Sequence, residues 1–132
     1  MTLEERITRL EDIEAIRQLQ ARYQRCLDTR NWEEMAQCFT EDASSAYGNG
    51  SMSYDGRDAI LGFLKGVMTL KMPSTHLIHG GEIDVDGESA SGIWYLEDYL
   101  LHRVFKLKLH GAAIYHVDYR KVDGEWKLCN SV

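Results

Sequence analysis

Apolar residues recur at three- and four-residue steps through the first part of the chain: Leu3, Ile7, Leu10, Ile13, Ile16, Leu19, Tyr23 and Leu27. That period predicts one long amphipathic helix over roughly residues 3–29, with a single apolar stripe. Thr2 followed by Glu5 supplies a capping box at its start. Asn31 and Glu34 repeat the capping pattern. Trp32, Met35, Cys38 and Phe39 then predict a short second helix, closed by Thr40-Glu41-Asp42-Ala43. A weak strand signal follows around 43–47. Gly48-Asn49-Gly50-Ser51 reads as a hairpin turn and Met52-Ser53-Tyr54 as the returning strand. Asp55-Gly56 breaks that strand. Ile60, Leu61, Phe63, Leu64, Val67 and Met68 predict a third helix. Pro73, the only proline, lies in the loop that ends this half.

From Ser74 onward the period shortens to that of strands. Residues 75–79 form one expected strand and 82–85 a second, turned by Asp86-Gly87. Residues 90–103 and 112–122 are long and rich in Ile, Trp, Tyr and Leu. Asp123-Gly124 turns the chain into a last strand over 125–132. Helices first and a mostly antiparallel sheet afterwards is an α+β layout. A long curved sheet wrapped on a long helix leaves a pocket between them, where small ligands commonly bind.

Composition narrows the reading. The 132 residues suggest one domain spanning 1–132, large enough to need no disulfide. A net charge of −6, with both signs mixed along the chain, argues against a nucleic-acid partner. No apolar run approaches membrane-spanning length, so no membrane partner is expected. The acidic, polar start Met1-Thr2-Leu3-Glu4-Glu5 is unlike a signal peptide. Cys26, Cys38 and Cys129, with no CxxC spacing, fit core thiols in a reducing cytoplasm.

Candidate chemistry concentrates on Tyr23, Asp28 and His76: a phenol, a carboxylate and an imidazole that can move protons at neutral pH. Each also suits a plainer role. Tyr23 falls on the apolar stripe, Asp28 can cap the helix end, and His76 can be a satisfied core histidine. Tyr23 and Asp28 are offset by about 140° on an ideal helix, so both border one pocket only if Asp28 sits at a frayed end. Alternation puts Trp94, Leu96 and Asp98 on one strand face. An Asp there either borders a polar pocket or marks an exposed strand end. Trp94, Leu96, Tyr54, Phe63 and Tyr115 are expected to line the pocket, which favours a ring-bearing apolar substrate. His79, His102, His110 and His116 show no ligand spacing, so no metal site is expected. GxSxG, Walker and GxGxxG motifs are absent from the sequence.

The order of elements resembles the nuclear-transport-factor-2-like superfamily, in its SnoaL-like branch of small lyases and isomerases. Four segments carry the resemblance: residues 10–17 continuing to Tyr23 and Asp28; residues 32–43; Tyr54-Asp55-Gly56-Arg57-Asp58-Ala59-Ile60; and the closing Tyr119–Trp126 hairpin. It implies a cone-shaped α+β barrel, with three helices packed on a curved sheet. At residue level the chain is similar to the bile-acid 7α-dehydratase and scytalone dehydratase group. There a helix Tyr and Asp face a strand His across the pocket, which implies such roles for Tyr23, Asp28 and His76. The Asp28–His76 spacing also resembles that of the hexachlorocyclohexane dehydrochlorinase, in which another residue occupies the Tyr23 position. The bile-acid dehydratases have a functional Asp near Asp98. They also carry an Arg in or just after the last strand, where this chain has Cys129-Asn130-Ser131. Either that contact is absent or a longer C-terminus supplies it.

The function expected is a cofactor-independent lyase or isomerase, a dehydratase first, acting on a cyclic, mostly apolar small molecule. His76 removes a proton, Asp28 orients it, and Tyr23 polarises an oxygen. The alternatives are a binding protein without turnover, and a polyketide-cyclase- or ketosteroid-isomerase-like enzyme with Asp98 or Asp28 as base. Tyr, Trp and Leu on both strand faces suggest a homo-oligomer, dimer or trimer, formed through the sheet.

Overall fold

A computed structural model describes residues 1–47 and 52–131. The expected turn at 48–51 and the last residue, Val132, lie outside the described residues. The order is α1 (Leu3–Thr29), α2 (Trp32–Ala36), β1 (Phe39–Tyr47), β2 (Met52–Asp55), α3 (Arg57–Val67), β3 (Ser74–Asp86), β4 (Ser89–His102), β5 (Leu107–Val122) and β6 (Glu125–Ser131). The strands form one six-stranded sheet in the order β2-β1-β6-β5-β4-β3. Neighbours run antiparallel except β1 and β6, which are parallel.

Helix α1 starts where its capping box predicts. Glu5 N–H donates to Thr2 Oγ1, and Thr2 N–H donates to Glu5 Oε2, each at 3.1 Å. Its end is a Schellman-type turn: Asn31 N–H reaches Cys26 O at 2.9 Å, with Arg30 left-handed at φ 58°. Glycine is usual at that position; here an arginine occupies it. The apolar stripe divides in two. Ile16, Leu19, Tyr23, Cys26 and Leu27 are buried, whereas Leu3, Ile7 and Leu10 are exposed.

Three expectations are corrected. The second helix stops at Ala36, and Phe39 opens a strand instead of closing a helix. Phe39 pairs with Leu128 of the parallel strand β6, and Leu128 N–H donates to Cys38 O. Sheet pairing thus overrides a helical spacing too short to stand alone. The two short strands expected over 75–85 are one strand, β3. It is bent by a bulge between Gly80 and Glu82, with Gly80 at φ 80° and Gly81 at φ 83°. A Cβ on Gly81 would lie 2.5 Å from the Trp94 ring, so glycine is needed there for space as well as for φ. The following turn also shifts by one: β3 includes Asp86, and Gly87-Glu88 form the loop.

The core lies between α1, α3 and the inner face of the sheet. Ile16, Leu19, Tyr23, Ile60, Leu64, Trp94, Val117, Tyr119 and Leu128 meet there. Asp12 ties α1 to the last hairpin, accepting from Trp126 Nε1 at 3.0 Å and from Lys121 Nζ at 3.3 Å. The outer face of β3–β5 carries exposed Leu77, Ile93, Tyr95, Tyr99, Leu101 and Ile114. No described helix is long and apolar enough to cross a membrane.

Candidate active site

Asp28 is the penultimate residue of α1, and His76 is the third residue of β3. The capped end of α1 sets the carboxylate against the start of the strand. Asp28 Oδ2 accepts from the backbone N–H of His76 at 2.8 Å, and Oδ1 meets His76 Nδ1 at 2.6 Å. Oδ1 also accepts from Ser74 Oγ at 2.9 Å. Little of either side chain reaches solvent, 10% for His76 and 21% for Asp28. Burial pushes the Asp28 pKa up. The bonds from the His76 ring, the His76 backbone and Ser74 outweigh it, so the carboxyl ends below its ordinary value. With the carboxylate ionised, Nδ1 carries the ring proton and Nε2 is left as the basic nitrogen.

Sequence reasoning missed the support behind this pair. Arg30 Nη1 donates to Leu27 O and, at 2.9 Å, to Ser74 Oγ; Arg30 Nη2 donates to Met72 O. The left-handed cap therefore turns its side chain back onto the loop before β3 and holds Ser74 for Asp28. Burial lowers the Arg30 pKa, and the charge of Asp28 opposes that shift. The only sequence signal was an arginine directly after a helix end, a common arrangement.

Asp98 stands opposite His76 in the β3–β4 register, and Gly111 stands opposite Asp98 on β5. Directly opposed residues share a sheet face, so Asp98 points inward beside His76 and is half-buried, not at an exposed strand end. A Cβ at Gly111 would fall 2.5 Å from Asp98 Oδ1; the bare glycine gives the carboxylate its room. Among the described residues, the Asp98 carboxylate has no hydrogen-bond or ion-pair partner. Tyr23 is buried, its ring edge-on to Phe39 at 5.5 Å.

The expected pocket residues separate into groups. Leu96 is half-buried on the inner face, two residues from Asp98 along β4 and paired with Ile78 and Ala113. Tyr54 and Phe63 stack at 4.5 Å, joining β2 to α3. Trp94 is buried and its Nε1 donates to Tyr119 OH at 2.9 Å. Tyr119 OH donates to Gln20 Oε1 at 2.6 Å, and Gln20 Nε2 donates to Tyr115 OH at 3.1 Å. Trp94 N–H can only donate, so each following bond has one direction. Gln20 was missed because a glutamine inside an apolar stripe reads as an interruption.

The arrangement offers an imidazole in one tautomer, its orienting carboxylate, and a second carboxylate directly opposite on the neighbouring strand. These are proton-handling groups on an otherwise apolar inner face. The chain is similar to a candidate scytalone dehydratase from Novosphingobium aromaticivorans, with 27% identity over 94% of this chain and 83% of that one, and a TM-score of 0.80. An NTF2-like protein with a cystatin-like fold from the same organism matches over 98% of this chain and 84% of its own, at 22% identity and a TM-score of 0.81. The hexachlorocyclohexane dehydrochlorinase LinA-type3 from Novosphingobium barchaimii shares the fold at 21% identity and a TM-score of 0.84, over 95% and 86% of the two chains. Residues 8–132 match the SnoaL-like domain. The chain therefore belongs to the SnoaL-like domain family.

Proposed function

We propose that this protein is a lyase that eliminates water from a cyclic, mostly apolar small molecule without a cofactor. The observation that carries the reading is the paired hold of Asp28 on His76, at 2.6 and 2.8 Å. An ionised carboxylate fixes the ring tautomer, and it stabilises the imidazolium that forms when Nε2 takes a proton. Nε2 removes the proton next to a carbonyl-like group. The C–H electron pair becomes the new double bond, the C–O bond breaks, and the imidazolium returns its proton to the leaving hydroxyl as water. Tyr23 is assigned the substrate oxygen, where a donor stabilises developing charge. The dehydratase and dehydrochlorinase names among the similar structures agree with an elimination.

The test is a panel of cyclic β-hydroxy ketones, followed by the absorbance of the conjugated enone. The wild-type protein forms enone; His76→Ala does not, and its melting temperature stays within a few degrees. Retained turnover with lost stability would reject the role of His76.

A second reading rests on Asp98, whose inward carboxylate lacks a partner among the described residues. It makes Asp98 the base of an isomerase or cyclase reaction. Under that reading Asp98→Asn removes activity more completely than His76→Ala, and the pH profile of turnover lacks a histidine-like limb.

A further inference from the structure

Asp12, Ile16, Gln20, Gln24 and Asp28 follow one another at four-residue steps along α1. Each step turns about 40° and rises about 6 Å on an ideal helix. The first four are buried and Asp28 is nearly so. Three of the four polar members are answered by the sheet: Asp12 by Trp126 and Lys121, Gln20 by Tyr115 and Tyr119, and Asp28 by Ser74 and His76. Gln24 is the exception. It is 5% exposed, and its Oε1 is buried with no hydrogen-bond partner among the described residues.

Gln24 is bracketed in turn and in height by Gln20 and Asp28, which both reach the inner face of the sheet. Between the Trp94–Tyr115 and His76–Asp98 register positions lies the row Ile78, Leu96 and Ala113. Those side chains have no polar atom to offer an amide. A buried amide oxygen without a partner is rare in a folded protein, because its desolvation goes uncompensated. Unpartnered buried polar groups in native folds commonly mark function.

We propose that Gln24 is a substrate-recognition residue whose amide takes a hydroxyl group on the cyclic substrate. A hydroxyl donates to Oε1 and can accept from the same amide, so it meets either need of the side chain. One helical turn separates Gln24 from Asp28. That turn sets Gln24 about 6 Å along the helix axis from Asp28, so the recognised hydroxyl lies at the end of the substrate away from the carbon that loses its proton to His76. On a fused bicycle that is the far ring. This inference deepens the elimination reading and rests on it for the substrate's orientation.

The test uses two probes, 1-tetralone and 6-hydroxy-1-tetralone. Their acidic C2 protons sit in one ring, and the added hydroxyl sits across the other. Binding of each to the full chain is measured by ligand-observed NMR, and loss of the C2 protons is followed in deuterium oxide. The expected result is at least a tenfold tighter Kd for the hydroxylated probe with the wild type. In Gln24→Met that preference falls to within twofold, and the melting temperature does not drop. A preference that survives the substitution overturns the proposal. So does equal weakening of both probes with a lowered melting temperature, which makes Gln24 structural, or an absence of preference in the wild type. If the preference is present and Gln24-dependent but neither probe exchanges its C2 protons, the subsite stands and the elimination chemistry fails.

Discussion

The Asp28 carboxylate receives both the ring Nδ1 and the backbone N–H of His76, at 2.6 and 2.8 Å. One side chain thereby fixes both the position of the strand and the tautomer of the imidazole mounted on it. Asp28→Asn keeps the shape and removes the charge. Its amide can present a donor to Nδ1 and favour the wrong tautomer. Turnover is expected to fall about 10²- to 10⁴-fold, as when the orienting carboxylate of a serine-protease triad is replaced. KM should change far less than kcat, because substrate contacts are untouched. Steady-state kinetics on an active β-hydroxy ketone checks this; a KM-only effect refutes the orienting role.

The same carboxylate makes stability depend on acid. Burial raises the Asp28 pKa, but its bonds from His76 and Ser74 bring it below the unfolded value of about 3.9. A carboxyl depressed in the folded state stabilises the fold above its unfolded pKa and loses that contribution as pH falls through its folded pKa. The stability gap between wild type and Asp28→Asn should therefore narrow as pH falls below about 4. Urea titrations at stepped pH measure it. A gap that does not narrow below about pH 4 contradicts the assignment.

Arg30 and Ser74 hold this carboxylate from behind. Arg30 occupies a left-handed position at φ 58°, where a Cβ is strained by about 1–2 kcal/mol. Arg30→Gly and Arg30→Ala both lose the bonds to Leu27, Ser74 and Met72. Only glycine relieves the backbone. Arg30→Gly should therefore be more stable than Arg30→Ala by about 1 kcal/mol. Equal stabilities in denaturant melts would show that the strain is absent. Either variant should also weaken the depression of Asp28's pKa, since Ser74 loses its anchor.

Much of this was legible in the chain. The capping box Thr2–Glu5 and the three-to-four-residue period located α1, because helix periodicity over many turns is a strong local signal. Asp28 and His76 stood out as proton-handling types at a helix end and a strand start. The strand character of Phe39 was hidden. A parallel pairing with Leu128 depends on contacts far along the chain, and local spacing carries no trace of it. Gly80-Gly81 looked like a strand break because a bulge and a turn use the same residue. The polar row on α1 was read only at Asp28. Asp12, Gln20 and Gln24 interrupt an apolar stripe, and their meaning depends on which strand atoms answer them.

Tyr119 is the hinge of the interior network, accepting from Trp94 and donating to Gln20. Burial drives its phenol pKa upward, with the Trp94 bond opposing, so the donor stays protonated wherever the fold persists. Tyr119→Phe leaves Trp94 Nε1 and Gln20 Oε1 both buried without those bonds. At about 1–3 kcal/mol for each of the two orphaned groups, the loss should be roughly 2–6 kcal/mol. Removing the glutamine as well, in Tyr119→Phe with Gln20→Leu, takes away one of the two orphans. The double variant should lose less than the sum of the two single losses, by more than about 0.5 kcal/mol. A four-member mutant cycle by urea denaturation reads that coupling. Strict additivity would mean that Gln20 and Tyr119 act separately, and that the directional chain from Trp94 to Tyr115 contributes nothing as a unit.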